Sequence, residues 1–168
     1  MDRTRPGFTS DERTQLVEWL QLQRAIVHWK CEGLSEEDAR RAPLPASPLL
    51  SMAALVSHLR WVEHCWFEVL FLNRGKEDNP QFGDVEEADL MVGDTPLSQL
   101  LEEYAAQCAV SDQIVAAHSL DDTGQNTDYG SGTASLRWML LHMIEETARH
   151  AGHADAIREL VDGTTGYY

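Results

Sequence analysis

The chain has 168 residues, a formal net charge of −15 and 43% hydrophobic residues. This length fits a single domain spanning residues 1–168, and the hydrophobic share excludes a largely disordered chain. The acidic balance argues against binding to nucleic acid or to an anionic membrane surface, because both attract cationic proteins.

The cysteines and the chain start indicate a cellular location. Cys31, Cys65 and Cys108 are odd in number and widely spaced, which predicts reduced thiols and a cytoplasmic protein. The opening MDRTRPGFTSDER lacks the apolar core of a signal peptide. No stretch approaches the roughly 18 apolar residues that a membrane-spanning helix needs.

Four long helices and no strand are predicted. The first spans residues 11–31, with Thr9 in capping-box spacing to Glu12, and a short helical turn follows at residues 35–41. The second spans residues 47–73, with Pro48 in its first turn. After an acidic connection at residues 74–94, the third helix spans 95–118, a polar loop spans 119–132, and the fourth helix spans 133–163. This order predicts an all-α protein, a four-helix bundle with long connections, in which function is usually built from side chains facing the core.

The last helix has two ionisable residues on its apolar face. At 100° per residue, Glu146 and His150 fall on the side marked by Met139, Met143 and Ile157. A carboxylate on such a face is costly unless it is paired or binds a metal. The two side chains are one turn apart, so they can converge on one point.

The second helix offers a third candidate ligand. His58 lies at the centre of a stripe otherwise formed by apolar residues such as Leu55, Val62 and Val69. Three ligands from two helices would leave a coordination position open, which is typical of a catalytic rather than a structural zinc site. Mixed nitrogen and oxygen ligands suit zinc or another divalent first-row metal such as nickel.

The sequence predicts the roles of the remaining candidate side chains less specifically. His142 and His153 lie at the edge of the same face, as alternative ligands, outer partners of the ligands or groups facing a substrate. Cys65 lies one turn beyond Val62, as a buried apolar residue or a group touching the metal. Surface positions or satisfied hydrogen bonds are expected for His28, His64 and His118. The tryptophans are expected in the core or in a pocket wall (Trp19, Trp29, Trp61, Trp66 and Trp138).

The runs SHLRWVEHCWF (residues 57–67) and HMIEETARHAGHADAIRELVDGTTG (residues 142–166) resemble the DinB/YfiT-like superfamily of metalloenzymes. Within it, the chain is most similar to an uncharacterised actinobacterial branch. The resemblance implies a four-helix bundle with a divalent metal between helices, held by one histidine of the second helix and two of the last. His58 and His150 match two of these ligands. The third position holds Glu146, as in the mycothiol-dependent maleylpyruvate isomerase branch.

The resemblance also implies chemistry on low-molecular-weight thiols. A metal with an open position binds a thiol and lowers its pKa, so that the nucleophilic thiolate is present at neutral pH. The implied function is an S-transferase that joins a thiol such as mycothiol to a small electrophile in detoxification. His153 is the candidate catalytic group for the proton. The pocket is expected to be lined by residues 74–94, by residues 119–132 and by aromatic side chains such as Trp61.

Two other functions stay open at this point. One is a non-catalytic protein that binds a metal or a small molecule under stress, with a coordination shell closed by His142 or His153. The other is a structural helical dimerisation module, in which Glu146 is salt-bridged to Arg149 or Arg24. Homodimers are common in the family, so a homodimer would be compatible with all three functions.

Overall fold

A computed structural model describes residues 3–166, and this part of the chain is all-α, as predicted. Within it, the only pairing of β type is an isolated bridge between Thr123 and Ser135. No helix in this range is long and apolar enough to cross a membrane. The α-helices are α1 (Glu12–Cys31), α2 (Glu36–Arg40), α3 (Met52–His64), α4 (Leu97–Ala117) and α5 (Leu136–Asp162).

The first helix begins at a different cap from the predicted one. Asp11, not Thr9, is the N-cap of α1: its carboxylate accepts from the Thr14 amide at 3.1 Å and from the Thr14 hydroxyl at 2.6 Å. An aspartate at this position satisfies a free amide and also places a negative charge at the positive end of the helix dipole.

Two other helices begin later than predicted. The Ser51 hydroxyl accepts from the Ala54 amide at 3.2 Å at the start of α3, and residues 47–50 form a turn instead. Likewise, the Ser135 hydroxyl accepts from the Trp138 amide at 3.3 Å at the start of α5. In both cases a serine nearer to the apolar run supplies the cap.

A π-helical segment, Cys65–Phe71, continues α3 and was not predicted. Carbonyls near its end accept from the 119–132 loop: the Gln125 amide donates to Phe71 at 2.9 Å and the Asn126 amide to Leu70 at 3.2 Å. This close packing of backbone requires glycine at Gly124, where a Cβ would lie 2.9 Å from the Leu70 carbonyl oxygen. The polar loop is therefore tied to the end of this helical segment.

The described residues fall into two compact units. One contains residues 3–55 and 140–166, with a core that includes Leu20, Leu22, Val27, Met143 and Ile157. The other contains residues 56–139, with a core that includes Leu59, Phe67, Phe71, Tyr104 and Leu136. A single domain and a four-helix-bundle arrangement remain predictions.

The end of α5 is attached to the end of α1 by a group of charges, here called the C-terminal clamp (Lys30, Asp155 and Arg158), in which the two cations are buried. Arg158 donates to the backbone carbonyls of Lys30 at 2.6 Å and of Glu32 at 2.9 Å. The Lys30 ammonium lies 2.5 Å from the Asp155 carboxylate and donates to the Gly166 carbonyl at 2.5 Å. The clamp therefore satisfies carbonyls at a helix end that have no partner within the helix.

Candidate metal centre

His58 is held by a carboxylate from the acidic connection. Its Nδ1 lies 2.6 Å from Oδ2 of Asp89, and its side chain is 20% exposed. An ionised carboxylate can only accept a hydrogen bond, so Nδ1 is the donor and, in the neutral ring, Nε2 is the nitrogen that carries the lone pair. Leu55, Val62 and Val69 of the predicted stripe are buried, but residues on the other faces of α3, such as Leu59, are buried too.

Asp89 is the site residue that sequence reasoning missed. It lies in the 3₁₀ turn Ala88–Leu90 and is buried, whereas most acidic residues of the connection are exposed. Burial alone would raise the pKa of Asp89, but hydrogen bonds from His58 and Gln81 outweigh burial and lower it. The carboxylate is therefore ionised at neutral pH and suited to hold the His58 ring.

Glu146 and His150 are neighbours on α5, as predicted. Glu146 Oε1 lies 3.1 Å from His150 Nε2, and both side chains are largely buried. The other carboxylate oxygen, Oε2, lies 3.5 Å from the Arg149 guanidinium, which also pairs with Glu145. The carboxylate thus has one oxygen on an exposed arginine and the other beside an imidazole nitrogen.

His153 lies beside His150 rather than among the candidate ligands. The two Nδ1 atoms are 3.4 Å apart, and the ring centroids are 5.2 Å apart. Burial, followed by the neighbouring charges of His150 and Arg149, lowers the pKa of His153. His153 therefore lies at Nδ1 of His150, in the same way as Asp89 lies at Nδ1 of His58.

His58, Glu146 and His150 form a group that could hold a metal ion. One ligand atom of each residue lies within 4.8 Å of those of the other two. Among the described residues, this is the only such group of histidine, cysteine or acidic side chains, and neither His142 nor His153 is part of it. Two imidazole nitrogens and one carboxylate oxygen fit a divalent first-row cation, and three protein ligands are the set found in catalytic zinc sites.

A model of the mycothiol-S-transferase family matches residues 15–163. The chain belongs to this family. The match confirms the resemblance to the DinB/YfiT-like superfamily, of which the family is part. No curated protein and no solved structure gave a match.

In this mycothiol-S-transferase family member, a cavity of about 530 Å³ lies at the acidic connection, and none of the three candidate ligands lines it. Its wall contains Trp61, one turn after His58, together with Lys76, Pro80 and Phe82 from the connection. The 119–132 loop reaches the same wall, since Tyr129 lies 5.6 Å from Phe82 between ring centroids. The connection and Trp61 line the cavity, as expected, whereas the 119–132 loop contacts its wall through Tyr129 and is not itself among the lining residues.

The contacts and burial of His64 and Cys65 explain why neither is a candidate ligand in this family member. His64 is buried, and its Nδ1 lies 3.2 Å from the amide nitrogen of Asn79, so it is a satisfied histidine, as expected. None of the three cysteines forms a disulfide. Burial raises the pKa of Cys65 to about 12, which keeps it a neutral thiol and disfavours it as a ligand.

Proposed function

We propose that this protein is a divalent-metal-dependent S-transferase that joins mycothiol to a small electrophile. Membership of the mycothiol-S-transferase family supports the thiol and the reaction type. The observation that carries the metal dependence is the donor group of His58, Glu146 and His150. We further propose zinc as the metal, with nickel as the alternative, in a cytoplasmic four-helix bundle of one domain that can form a homodimer.

The proposed reaction forms one sulfur–carbon bond. A bound divalent cation lowers the pKa of the thiol and so supplies a thiolate at neutral pH. The thiolate sulfur gives its electron pair to the electrophilic carbon, and the leaving group departs with the pair of the bond that breaks. The thiol proton needs an acceptor, and His153 is our candidate, at Nε2, because its Nδ1 faces His150.

The chain's own residues would orient the reactants. Asp89 holds the His58 ring from the side of Nδ1, and His153 lies at the corresponding nitrogen of His150. Trp61 and Phe82 provide apolar surface in the cavity at the connection, against which an apolar part of the electrophile would pack. The proposal therefore places the thiol at the metal and the electrophile against Trp61, one turn after His58.

The decisive experiment compares Glu146→Gln with Glu145→Gln. Glu145 is the adjacent carboxylate and is exposed, so its variant is a matched control for charge. Metal-free protein is titrated with Zn²⁺ and Ni²⁺, and conjugation of monobromobimane is measured with mycothiol, bacillithiol and glutathione. We expect Glu146→Gln to lose at least about 10–100-fold in metal affinity and to lose the metal-dependent conjugation, while Glu145→Gln retains both.

A structural role for Glu146 is the second candidate, and its ion pair with Arg149 is the observation that favours it. In that case Glu146→Gln would change stability, metal uptake would equal that of the control, and the wild type would not need metal. A wild-type protein that binds no divalent metal would overturn the proposed function. Tight metal binding without conjugation of any of the thiols would instead indicate the non-catalytic metal-binding protein.

A further inference from the structure

Asp89 differs from the other acidic residues of the 74–94 connection. Its side chain is only 8% exposed, whereas Glu77, Asp78 and Asp84 point to solvent. An ionised carboxylate in such a position is expensive unless several donors satisfy it. The contacts of the Asp89 side chain must therefore account for its burial.

Three side chains satisfy Asp89, and two of them are consecutive residues of α3. Oδ2 accepts from His58 Nδ1 at 2.6 Å and from Gln81 Nε2 at 2.8 Å. Its backbone carbonyl accepts from the Ser57 hydroxyl at 2.7 Å. Ser57 thus holds the backbone of the 3₁₀ turn while His58 holds the carboxylate.

The turn that carries Asp89 is itself constrained. Glu87, which precedes the turn Ala88–Leu90, has a φ of 56°, in the left-handed region that non-glycine residues rarely adopt. Strained backbone of this kind persists where the surrounding contacts determine it, and it is concentrated at functional sites. The connection is therefore shaped to bring one carboxylate to one nitrogen of His58.

We propose that Asp89 is a positioning residue that keeps the proton of His58 on Nδ1 and so presents Nε2 as the metal-binding nitrogen. The inference rests on the proposed function for its metal and on the Asp89 contacts for its geometry. A carboxylate behind a ligating histidine fixes the tautomer and the ring orientation and makes the ligand more basic. Gln81 would in turn hold the carboxylate in place.

The first test measures metal affinity by competition with a chromophoric chelator. We expect Asp89→Ala to weaken Zn²⁺ binding by about 10–100-fold. We expect a smaller loss in Asp89→Asn, which keeps an acceptor oxygen but no charge. Asp84→Ala removes an exposed aspartate of the same connection and should leave the affinity unchanged. Gln81→Ala, which removes the second donor to the Asp89 carboxylate from an exposed position, should weaken binding by a few-fold.

The second test needs no metal. Nitrogen-15 chemical shifts of the imidazoles in metal-free protein at pH 8 report the tautomer of each histidine. We expect wild-type His58 to carry its proton on Nδ1 and Asp89→Ala to move it toward Nε2. The inference is overturned if wild-type His58 carries the proton on Nε2, or if Asp89→Ala changes neither tautomer nor affinity. Should the wild type bind no metal while its tautomer is fixed, the proposed function fails and Asp89 still positions the ring.

Discussion

Two polar clusters lie along α5, and their side chains are satisfied in opposite ways. In the C-terminal clamp, donors predominate: Lys30 and Arg158 meet backbone carbonyls and the carboxylates of Asp155 and Asp162. In the cluster one to three turns earlier, Glu146, His150 and His153 bring together acceptor atoms and imidazole nitrogens. The first cluster joins cations to carboxylates and backbone carbonyls, whereas the second places a carboxylate beside imidazole rings.

This difference separates a structural cluster from a candidate functional one. Buried charges that stabilise a fold are paired and hydrogen-bonded, because an uncompensated charge costs several kcal/mol. Carboxylate oxygens and imidazole nitrogens suit a divalent cation, which is the ligand that the proposal assigns to this group. The comparison predicts that substitutions in the C-terminal clamp change the unfolding free energy, whereas substitutions in the cluster of Glu146 and His150 change metal affinity.

The largest effect is expected for His150→Ala. The loss of metal affinity should exceed the roughly 10–100-fold that an outer partner of a ligand contributes, because a ligand itself is removed. The unfolding free energy without metal should change by only about 1 kcal/mol. Isothermal titration with Zn²⁺ and chemical denaturation measure the two quantities separately.

His142→Ala is the matched control, since His142 lies on the same helix but outside the donor group. Its metal affinity should equal that of the wild type. If His142→Ala and His150→Ala lose metal equally, the ligand set differs from the proposed one.

Arg158→Ala should instead lower the unfolding free energy and leave metal binding unchanged. The change leaves the carbonyls of Lys30 and Glu32 without their donor and should cost about 3 kcal/mol of unfolding free energy. Metal stoichiometry and conjugation per folded molecule should not change. Urea denaturation of this variant beside Arg149→Ala, an exposed arginine of the same helix, provides the comparison, and the control should lose no more than about 1 kcal/mol. Equal losses in the two variants would contradict the structural role of the clamp.

The sequence predicted those parts of the site that a regular helix positions. Glu146 and His150 are one turn apart and His58 lies on an apolar stripe, so periodicity alone placed them on core-facing surfaces. Asp89 gave no such signal, because it lies 31 residues after His58 in a connection rich in similar acidic residues. Its burial depends on how the 3₁₀ turns fold back on α3, which no local pattern encodes. Helix starts were misplaced for a related reason, since Ser47 and Ser51 are both competent caps and only packing selects between them.

His64 provides the smallest and most specific test of the comparison, because it is a buried histidine with a fixed partner. The Asn79 amide donates to the Trp61 carbonyl at 3.0 Å and lies 3.2 Å from His64 Nδ1, so this nitrogen is an acceptor in a neutral ring. The ring leaves no room behind it, since a Cβ at Gly75 would lie 3.0 Å from Nε2. Burial lowers the pKa of His64 below its ordinary value of 6.5, and the nearby carboxylates of Glu68 and Asp78 only partly oppose this.

The sign of the pH dependence follows from this lowered pKa. The unfolded chain takes up a proton at His64 at a higher pH than the folded chain, so unfolding is favoured as the pH falls below about 6.5. The loss stops once the pH is below the lowered pKa of the folded state. In His64→Gln this contribution is absent, and denaturation curves between about pH 5 and 7 should show a shallower dependence of the unfolding free energy on pH. Parallel pH profiles for the two proteins would mean that His64 titrates alike when folded and unfolded, and the contrast between a satisfied histidine and the candidate ligands would then lose its structural basis.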